Sequence, residues 1–564
     1  MPERPYFLFV TPDQQRWDTL TCTGNTAIRT PHLDALAERG TRFSRAYPSN
    51  PICMPSRATM ITGRSQRGHQ VFEHEINLSE NIPVVGDALR EVGYTTALFG
   101  KPHFKVWELE DSLPEHPPTG SDIDPSDGLW HGPYYGFDYV SHFTGHRSPS
   151  GHWRIFLERE HPESLALWEP EAALEPQIRS GAWHNAIPKE HHHTHFFTDQ
   201  LIDWLGRRET ASSDDPFFAW LSFPDPHGPF CPPAPYCYMY DPADMPSPVP
   251  LDDDLDNKPP HYRWSVAGER SWYGGSVKFA PEEQSRQVRA LYYGQISFID
   301  DMVGRVIDAL DRLNLTDTTY VVFTSDHGEM IDDHGQSGKP PMTYESVIRV
   351  PLIWQGPSVR PSTVHDGVMT HTDLVPTFLD LAGAPPLLGM EGRSYTKLLQ
   401  GDTESHRDAV IVERIGIERH TSEPIVRQKI LVTDRYKLAH YGSSWPGELY
   451  DLHKDPEEFT NLWDDPAYHE IRTRMTERML AEIIDDELGD PVDIFLHQPL
   501  APVGSFRDPI HREPTADYHH RTTSPASQRY LEKDPHQRKR KETKDPRLLE
   551  NERLAEERQQ RNTT

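Results

Sequence analysis

The chain has 564 residues, 35% of them hydrophobic, and a formal net charge of -30 at pH 7. This length allows a large core and more than one structural unit, whereas the negative charge argues against a general nucleic-acid-binding surface. No stretch reaches the apolar length that a bilayer requires, and residues 1–5 lack the basic and apolar regions of a signal peptide. We therefore expect a cytoplasmic protein that binds neither membrane nor nucleic acid. The four cysteines fit neither a zinc knuckle nor a disulfide framework by their spacing: Cys22, Cys53, Cys231 and Cys237.

The first predicted element is a strand over residues 6–11, an apolar run with aromatic and β-branched residues that is typical of a central parallel strand. Asp13 and Gln14 follow it directly. Open α/β sheets place their sites just past the carboxyl ends of such strands. Taken alone, however, Pro12-Asp13 is better explained as a simple turn.

Residues 53–64 read Cys-Met-Pro-Ser-Arg-Ala-Thr-Met-Ile-Thr-Gly-Arg. Ser56 to Ile61 can form a short helix that Gly63 ends, which places Cys53 near a helix N-terminus. Unpaired N–H groups and partial positive charge at that end suit a sulfate or phosphate, and Arg57 adds a permanent cation. The simple alternative for the pentapeptide alone is a buried thiol beside a turn.

Three later runs also have the composition of buried strands: residues 93–99, 216–223 and 319–325. Each is followed by polar residues with a capacity for chemistry: Lys101 and His103, His227, and Asp326 and His327. A carboxylate and an imidazole together suit a divalent cation. Lys339 lies in a loop with glycine and serine neighbours, where an exposed lysine would be the default interpretation.

The remaining chain gives weaker signals. Residues 191–195 read His-His-His-Thr-His, a composition compatible with a metal site. Adjacent helical side chains point in different directions, however, so we expect a cluster at the surface or at a helix start. Residues 289–313 have strong helical periodicity, and Asp300 and Asp301 within them are expected to be structural or exposed. Short strands follow from about residue 392.

The segment Cys53-Met-Pro-Ser-Arg57, with Thr62-Gly63-Arg64 downstream, resembles the signature of type I sulfatases, and the later motifs follow in family order over roughly residues 5–465. The resemblance implies an α/β alkaline phosphatase-like fold, in which helices sandwich a large mixed, mostly parallel sheet. A smaller C-terminal α+β subdomain would add an antiparallel sheet and a helix. The implied division is a catalytic domain over 1–390, the subdomain over 391–498, and a charged extension over 499–564 that is disordered or contacts a neighbouring subunit in a homo-oligomer.

The resemblance also implies the reaction, hydrolysis of a sulfate ester to an alcohol and inorganic sulfate. A formylglycine-generating enzyme would oxidise Cys53 to formylglycine (3-oxoalanine), whose hydrated aldehyde offers one hydroxyl to attack sulfur and a second to expel sulfate. The expected cofactor is Ca²⁺ or another divalent cation. Its implied ligands are Asp13, Gln14, Asp326, His327 and the modified Cys53.

Roles for the other residues are implied in the same way. Arg57 would orient the nucleophile, and Lys101, Lys339 and His227 would balance charge on the transferring group. His227 or Lys339 would protonate the leaving oxygen, and His103 would act as the base that releases sulfate.

Two other functions remain open at this stage. Gln14 and His327 keep a phosphonate monoester or phosphodiester hydrolase with the same site in contention, whereas the complete Cys-x-Pro-Ser-Arg and the Gly-Lys-x-His around Lys101 favour sulfate. An inactive binding protein on the same fold is disfavoured because every proposed position is present. Tryptophans, tyrosines and histidines between residues 105 and 275 suit a sugar sulfate, and a small aryl or choline-type ester is the alternative substrate.

Overall fold

A computed structural model describes residues 4–74, 76–105, 123–143, 148–210, 215–251, 255–269, 274–276, 280–416, 425–443 and 445–486. The strands are β1 Tyr6–Pro12, β2 Thr41–Tyr47, β3 Thr95–Gly100, β4 Tyr139–His142, β5 Phe217–Phe223, β6 Gly274–Ser276, β7 Thr319–Thr324, β8 Gln336–Gly338, β9 Val350–Gln355, β10 Thr363–Thr370, β11 Ala409–Gly416, β12 Val426–Thr433, β13 Tyr436–His440 and β14 Glu448–Asp451. The helices are α1 Pro31–Glu38, α2 Cys53–Thr62, α3 Gln66–His69, α4 Val85–Glu91, α5 Gly151–Glu160, α6 Pro162–Trp168, α7 His193–Thr210, α8 Pro260–Val266, α9 Glu282–Arg312, α10 Glu345–Ile348, α11 Leu374–Ala382, α12 Thr396–Gln400 and α13 His469–Asp485.

An eight-stranded sheet with the order β10-β2-β9-β7-β1-β5-β3-β4 forms the centre of the fold. β9 alone runs against its neighbours, and the other described pairs in this sheet are parallel. β1 lies between β5 and β7, with Val10 beside Leu221 on one side and Phe323 on the other. The predicted fold class, a large mixed and mostly parallel sheet, is therefore confirmed.

Alternate residues of β1 point into two different apolar layers, as successive side chains of a strand must. Phe7 and Phe9 pack into a cluster with Phe378 of α11, whereas Leu8 and Val10 pack into the opposite layer with residues of α1, α7 and α9. Both faces of the sheet are therefore covered. This coverage explains why β1 is a continuous apolar run rather than an alternating one.

α9 begins at Glu282, seven residues earlier than the periodicity predicted, because two glutamates after Pro281 extend its first turn. Within it Asp300 is fully buried and accepts hydrogen bonds from the backbone N–H groups of His32 and Leu33. The expected structural role of Asp300 is thus confirmed, since its carboxylate binds N–H groups that the first turn of α1 leaves unpaired.

The C-terminal part of the described chain is a four-stranded antiparallel sheet in the order β11-β12-β13-β14. One face packs against α13 through a cluster that includes Leu431, Leu449 and Met479. The other face contributes Val412 and Ile430 to a cluster shared with residues near the large sheet. The antiparallel sheet with its packed helix was expected, whereas the boundaries at residues 390 and 498 stay predictions. The predicted extension over 499–564 lies outside the described residues.

None of the described helices has both the length and the apolarity needed to cross a membrane.

A buried ion pair connects α11 to the segment that enters the C-terminal sheet. Asp373 receives two hydrogen bonds of 2.7 Å from Arg407, one of 2.9 Å with His406, and one of 2.7 Å from the backbone N–H of Arg393. Burial of Asp373 opposes ionisation, but Arg407 and His406 hold the pKa of its carboxyl below the usual range. The charged form is therefore the one that the fold stabilises.

We expect Asp373→Asn to lower the free energy of unfolding by about 3 to 5 kcal/mol at pH 7, because it leaves the Arg407 charge without its buried partner. The native pKa of Asp373 is depressed, so this contribution is present above the unfolded-state pKa of about 3.9 and is lost as the pH falls below it. Denaturant titrations at several pH values measure both effects. Glu404→Gln, in an exposed pair with Arg360, is the control and should change stability by less than about 1 kcal/mol. An equal loss in the two variants would contradict this account.

Candidate active site

The candidate site lies where four neighbouring parallel strands end. Asp13 follows β1, Lys101 follows β3, His227 follows β5 by four residues, and Asp326 follows β7. Because β7, β1, β5 and β3 are adjacent in the sheet, their carboxyl ends form one edge on which these side chains meet. Cys53 approaches the same edge as the first residue of α2.

α2 starts three residues earlier than the sequence predicted and is buried along its whole length. Ile52, directly before it, is extended, and Gly63 ends the helix in the left-handed conformation with φ 64°. Pro55 is compatible with this early start because the first turn of a helix does not need its N–H groups for intrahelical bonds. Cys53 therefore lies at the positive end of the helix dipole.

The sulfur of Cys53 is surrounded by polar groups although the residue is fully buried. Its Sγ lies 2.7 Å from Lys339 Nζ, 3.2 Å from His327 Nε2 and 3.7 Å from Asp13 Oδ1. Burial opposes ionisation, but Lys101 and Lys339 hold the pKa of this thiol well below its usual range. The surroundings thus stabilise negative charge at residue 53.

Arg57 connects several of the strand ends from behind the cysteine. Its Nε donates to Asp326 Oδ2 at 2.8 Å, and its Nη1 donates at 2.6 Å to both the Lys101 carbonyl and Ser222 Oγ. Nη2 is 3.7 Å from Asp13 Oδ2. A planar guanidinium can reach these directions together, whereas a lysine cannot.

Four side chains could hold a metal ion together. One ligand atom from each of Asp13, Cys53, Asp326 and His327 lies within 4.8 Å of the others, and all four residues are buried. Carboxylate oxygens with one imidazole suit a divalent cation. Burial and the neighbouring Cys53 oppose ionisation of the Asp13 carboxyl. Lys101 and the other cations around it nevertheless lower its pKa, so this carboxyl is ionised.

Gln14 is held at the edge of the site by its backbone and by its side chain. Its φ is 69°, a strained conformation for a residue other than glycine, and its N–H donates to Asp326 Oδ1 at 2.9 Å. Its Nε2 donates to Glu329, and Lys339 Nζ donates to its Oε1 at 3.2 Å. Glu329 thereby fixes which way the amide points and directs the oxygen of Gln14 towards the site.

The predicted anion-binding residues are brought together as well. Lys101 Nζ forms an ion pair with Asp13, and Lys339 Nζ lies 3.4 Å from His227 Nε2. Burial, with Lys101, lowers the pKa of His103 to about 3, and burial, with Lys339, lowers that of His227 to about 3. Both imidazoles are therefore neutral near pH 7.

Two residues of this site were not found from the sequence. His74 stacks on His103 with ring centroids 5.2 Å apart, and the two rings form a group with Cys53 in which one ligand atom of each lies within 4.8 Å of the others. Glu329 is fully buried and also accepts a hydrogen bond from Ile331 at 3.0 Å. Only its place after Asp326-His327-Gly328, at a strand end, could have suggested it.

The histidine cluster at residues 191–195 was expected at the surface or at a helix start, and it lies at the start of α7. The surface alternative does not hold for His192 and His193, which are buried beside Asp225 with nitrogen–oxygen distances of 3.9 and 3.7 Å. Thr194 and Gln295 donate hydrogen bonds to the same carboxylate at 2.7 and 2.9 Å. These contacts fix Asp225, which lies two residues before His227, and so hold the start of the loop that carries His227.

A large, mostly parallel sheet with a buried cysteine, two carboxylates and several cations at its strand ends is typical of alkaline phosphatase-like hydrolases of anionic esters. The sulfatase family model matches residues 5–384, and a model described as the C-terminal part of N-sulphoglucosamine sulphohydrolase matches residues 333–485. The chain belongs to the sulfatase family. The predicted family and enzyme class, hydrolysis of sulfate esters, are thus confirmed.

Individual relatives differ in the activity that their names state. The chain is 27% identical to an arylsulfatase of Clostridium perfringens, over 86% of this chain and 96% of the relative. It is 31% identical to the multifunctional alkaline phosphatase superfamily protein PehA of Trinickia caryophylli, over 78% of this chain and 87% of the relative. The crystal structure of a phosphonate monoester hydrolase of Agrobacterium radiobacter is similar with a TM-score of 0.72 and 28% identity, and the match covers 86% of this chain and 96% of that one.

We expect Arg57→Lys to lower kcat/KM on an aryl sulfate by roughly 10²-fold, because the lost guanidinium contacts let Asp326 and the Lys101 backbone shift. Steady-state kinetics with a parallel melting curve measures this. Arg407→Lys is the matched control, since Arg407 is also a buried arginine bound to a carboxylate but lies with Asp373. It should lower stability and leave kcat/KM of the folded enzyme unchanged. Equal kinetic losses in both variants would show that Arg57 acts only on the fold.

Proposed function

We propose that this protein hydrolyses the sulfate ester of a saccharide or another small molecule, with formylglycine derived from Cys53 as nucleophile and a divalent cation as cofactor. One observation carries the proposal: Cys53 is buried at the start of α2, with Lys339 Nζ at 2.7 Å and His327 Nε2 at 3.2 Å from its sulfur. Lys339 and Lys101 supply positive charge for an anionic group bound beside residue 53.

The cation, for which we propose Ca²⁺, would be held by Asp13, Gln14, Asp326, His327 and the modified residue 53. When bound, it supplies Lewis-acid stabilisation of charge on the ester oxygens and on the nucleophile. The convergence of two carboxylates and an imidazole, together with the amide oxygen that Glu329 orients, supports this ligand set.

Lys339 is the proposed proton donor to the leaving oxygen. Its ammonium group lies nearest to residue 53, and it contacts His227. His227 is neutral near pH 7 because of its low pKa, so it holds the substrate oxygen and Lys339 rather than supplying the proton. His103, also neutral, lies beside residue 53, which supports its proposed role as the base that accepts a proton when sulfate is released.

A saccharide sulfate is the substrate class that we favour. The C-terminal family model takes its description from a sulphohydrolase of N-sulphoglucosamine. In addition, the described chain carries aromatic rings near the segment that follows His227, where Tyr238 is 54% exposed and stacks on His184 at 5.0 Å. An exposed ring of this kind provides an apolar surface for one face of a sugar.

The second candidate is a phosphonate monoester or phosphodiester hydrolase that uses the same nucleophile and cation. The resemblance to the hydrolase of Agrobacterium radiobacter favours it, as does the pairing of Gln14 with His327 in the ligand set. Lys101, bound to Asp13, and His103 favour sulfate.

We expect peptide mass spectrometry to find an aldehyde at residue 53 in protein that is produced together with a formylglycine-generating enzyme. Such protein should release sulfate from 4-nitrophenyl sulfate, and Cys53→Ala should lower kcat by at least about 10³-fold because it removes the nucleophile. Cys237→Ala, a buried cysteine outside the site, is the control and should retain activity.

The same preparation separates the alternatives. Faster turnover of bis(4-nitrophenyl) phosphate than of 4-nitrophenyl sulfate would favour the phosphodiester hydrolase. Unmodified Cys53, no bound metal and no turnover of either ester would favour a binding protein and contradict our proposal.

We expect chelation to abolish sulfate release and Ca²⁺ to restore it. Glu329→Gln should weaken Ca²⁺ affinity by about 10- to 100-fold, because the amide of Gln14 loses the carboxylate that orients it. Calorimetric titration of the chelated protein measures this affinity independently of activity. Asp300→Asn, at a buried carboxylate that caps α1, is the matched control and should leave Ca²⁺ affinity unchanged. Equal affinity in the Glu329 variant and the wild type would show that Gln14 is not a ligand.

A further inference from the structure

The segment Lys339-Pro340-Pro341 carries a catalytic candidate on a backbone with few hydrogen-bond donors. Within the loop, the N–H of Met342 donates to the Pro340 carbonyl at 2.7 Å. Pro340 and Pro341 have no N–H, so this segment can be fixed mainly through its three carbonyl oxygens. A buried carbonyl without a partner is unfavourable. The donors that bind these three carbonyls therefore determine where the backbone of Lys339 lies.

Most of these donors come from the C-terminal sheet. Arg414 of β11 donates from Nη2 to the Lys339 carbonyl at 2.7 Å and from Nη1 to the Pro340 carbonyl at 2.5 Å. Gln428 of β12 donates from Nε2 to the Pro341 carbonyl at 2.5 Å. Arg414 and Gln428 are direct cross-strand partners, so one position of the antiparallel ladder binds all three carbonyls.

The close approach of the sheet to this segment depends on a small residue. Gly416 lies two residues beyond Arg414 on β11, on the same face of the strand. A Cβ atom at Gly416 would lie 2.9 Å from Pro341 Cβ, closer than two carbon atoms pack. His261 of α8 contacts the Pro341 carbonyl from another direction at 2.8 Å.

On the side of the large sheet, the same segment is fixed at its start and at its lysine. Glu329 accepts a hydrogen bond from the N–H of Gly338. The Lys339 ammonium group then reaches Cys53 Sγ at 2.7 Å and His327 Nε2 at 3.0 Å. A shift of the backbone at residue 339 would change both distances.

We propose that Arg414 is a positioning residue and that the C-terminal sheet completes the active site by fixing Lys339 against residue 53. This inference rests on the role that we propose for Lys339 in leaving-group protonation. A guanidinium binds two successive carbonyls with a rigid planar fork, whereas a lysine in its place keeps the charge but can bind only as a point donor. Arg414 is fully buried, which places it behind the lysine and out of reach of the solvent.

The test is a series of aryl sulfates whose leaving phenols span a range of pKa values. Arg414→Lys should lower kcat by about 10- to 100-fold for poor leaving groups, which need protonation, and much less for 4-nitrophenyl sulfate, with KM nearly unchanged. Arg435→Lys, in the turn between β12 and β13, is the control, since Arg435 binds Asp451 rather than the Lys339 segment. It should leave the dependence of kcat on the leaving group unaltered. A purely structural role of Arg414 would lower kcat equally for all esters.

A double-mutant cycle connects the effect to Lys339. In a Lys339→Ala background, Arg414→Lys should cause no further loss of kcat, because its target is already absent. Independent losses that multiply would overturn the inference. If Lys339→Ala is impaired on poor leaving groups and Arg414→Lys is not, the inference fails while the proposed function stands. If Lys339→Ala is itself unimpaired, the proposed role of Lys339 is wrong.

Gln428→Leu provides a second route if the Arg414 variant does not fold. It removes one of the two side chains that contact the Pro341 carbonyl, leaves Arg414 and His261 in place, and should give a smaller loss with the same dependence on the leaving group. Melting curves of both variants identify the folded preparations. A folded Gln428→Leu enzyme with wild-type kinetics across the series would count against the C-terminal sheet as part of the site.

Discussion

The structure depends on how Arg57 holds two buried carboxylates at the carboxyl edge of the sheet. Asp13 and Asp326 are both fully buried, and each ends a central strand or follows it closely. Isolated charges at such positions would be strongly unfavourable. Arg57 compensates them from one side and also binds the Lys101 carbonyl and Ser222 Oγ, so one side chain fixes the relative positions of β1, β3, β5 and β7. Lys101 pairs with Asp13 as well.

This constraint explains why α2 must begin at Cys53. Arg57 is four residues later, one helical turn on, so it lies on the same face of α2 as the cysteine. A helix that brings Arg57 to the carboxylates therefore also brings residue 53 to the edge of the site. The strained backbone conformations of Gln14 and His103, with φ of 69° and 55°, occur where the chain leaves β1 and β3 and turns towards this helix. Strain of this kind persists where surrounding contacts determine the conformation.

The sequence predicted what depends on strand ends and failed where the contact is purely tertiary. Asp13, Lys101 and Asp326 follow apolar runs of strand length, and parallel strands bring such positions together in any doubly covered sheet. Arg414 follows no such strand end, and Glu329 is indicated only by its place shortly after Asp326. The role of Glu329 is recognised only from its bond to Gln14, and Arg414 looks like an ordinary residue of an edge strand until its partners in the Lys339 segment are seen. His192 and His193 are buried although histidine repeats suggest a surface, because Asp225 and the aromatic rings of α5 and α6 surround them.

Charge alone does not let this site distinguish its two candidate substrate classes. A sulfate monoester and a phosphodiester both carry one negative charge, so Lys101, Lys339 and a bound cation attract them alike. They differ in shape, since the diester has a second organic substituent where the sulfate has only oxygen. His74 and His103 stack against each other beside Cys53, and on this side the space next to the nucleophile is filled by imidazole rings. Small, hydrogen-bonding sulfate oxygens fit against such rings more readily than a second organic group, and this difference in shape is the physical reason why we expect a preference for sulfate.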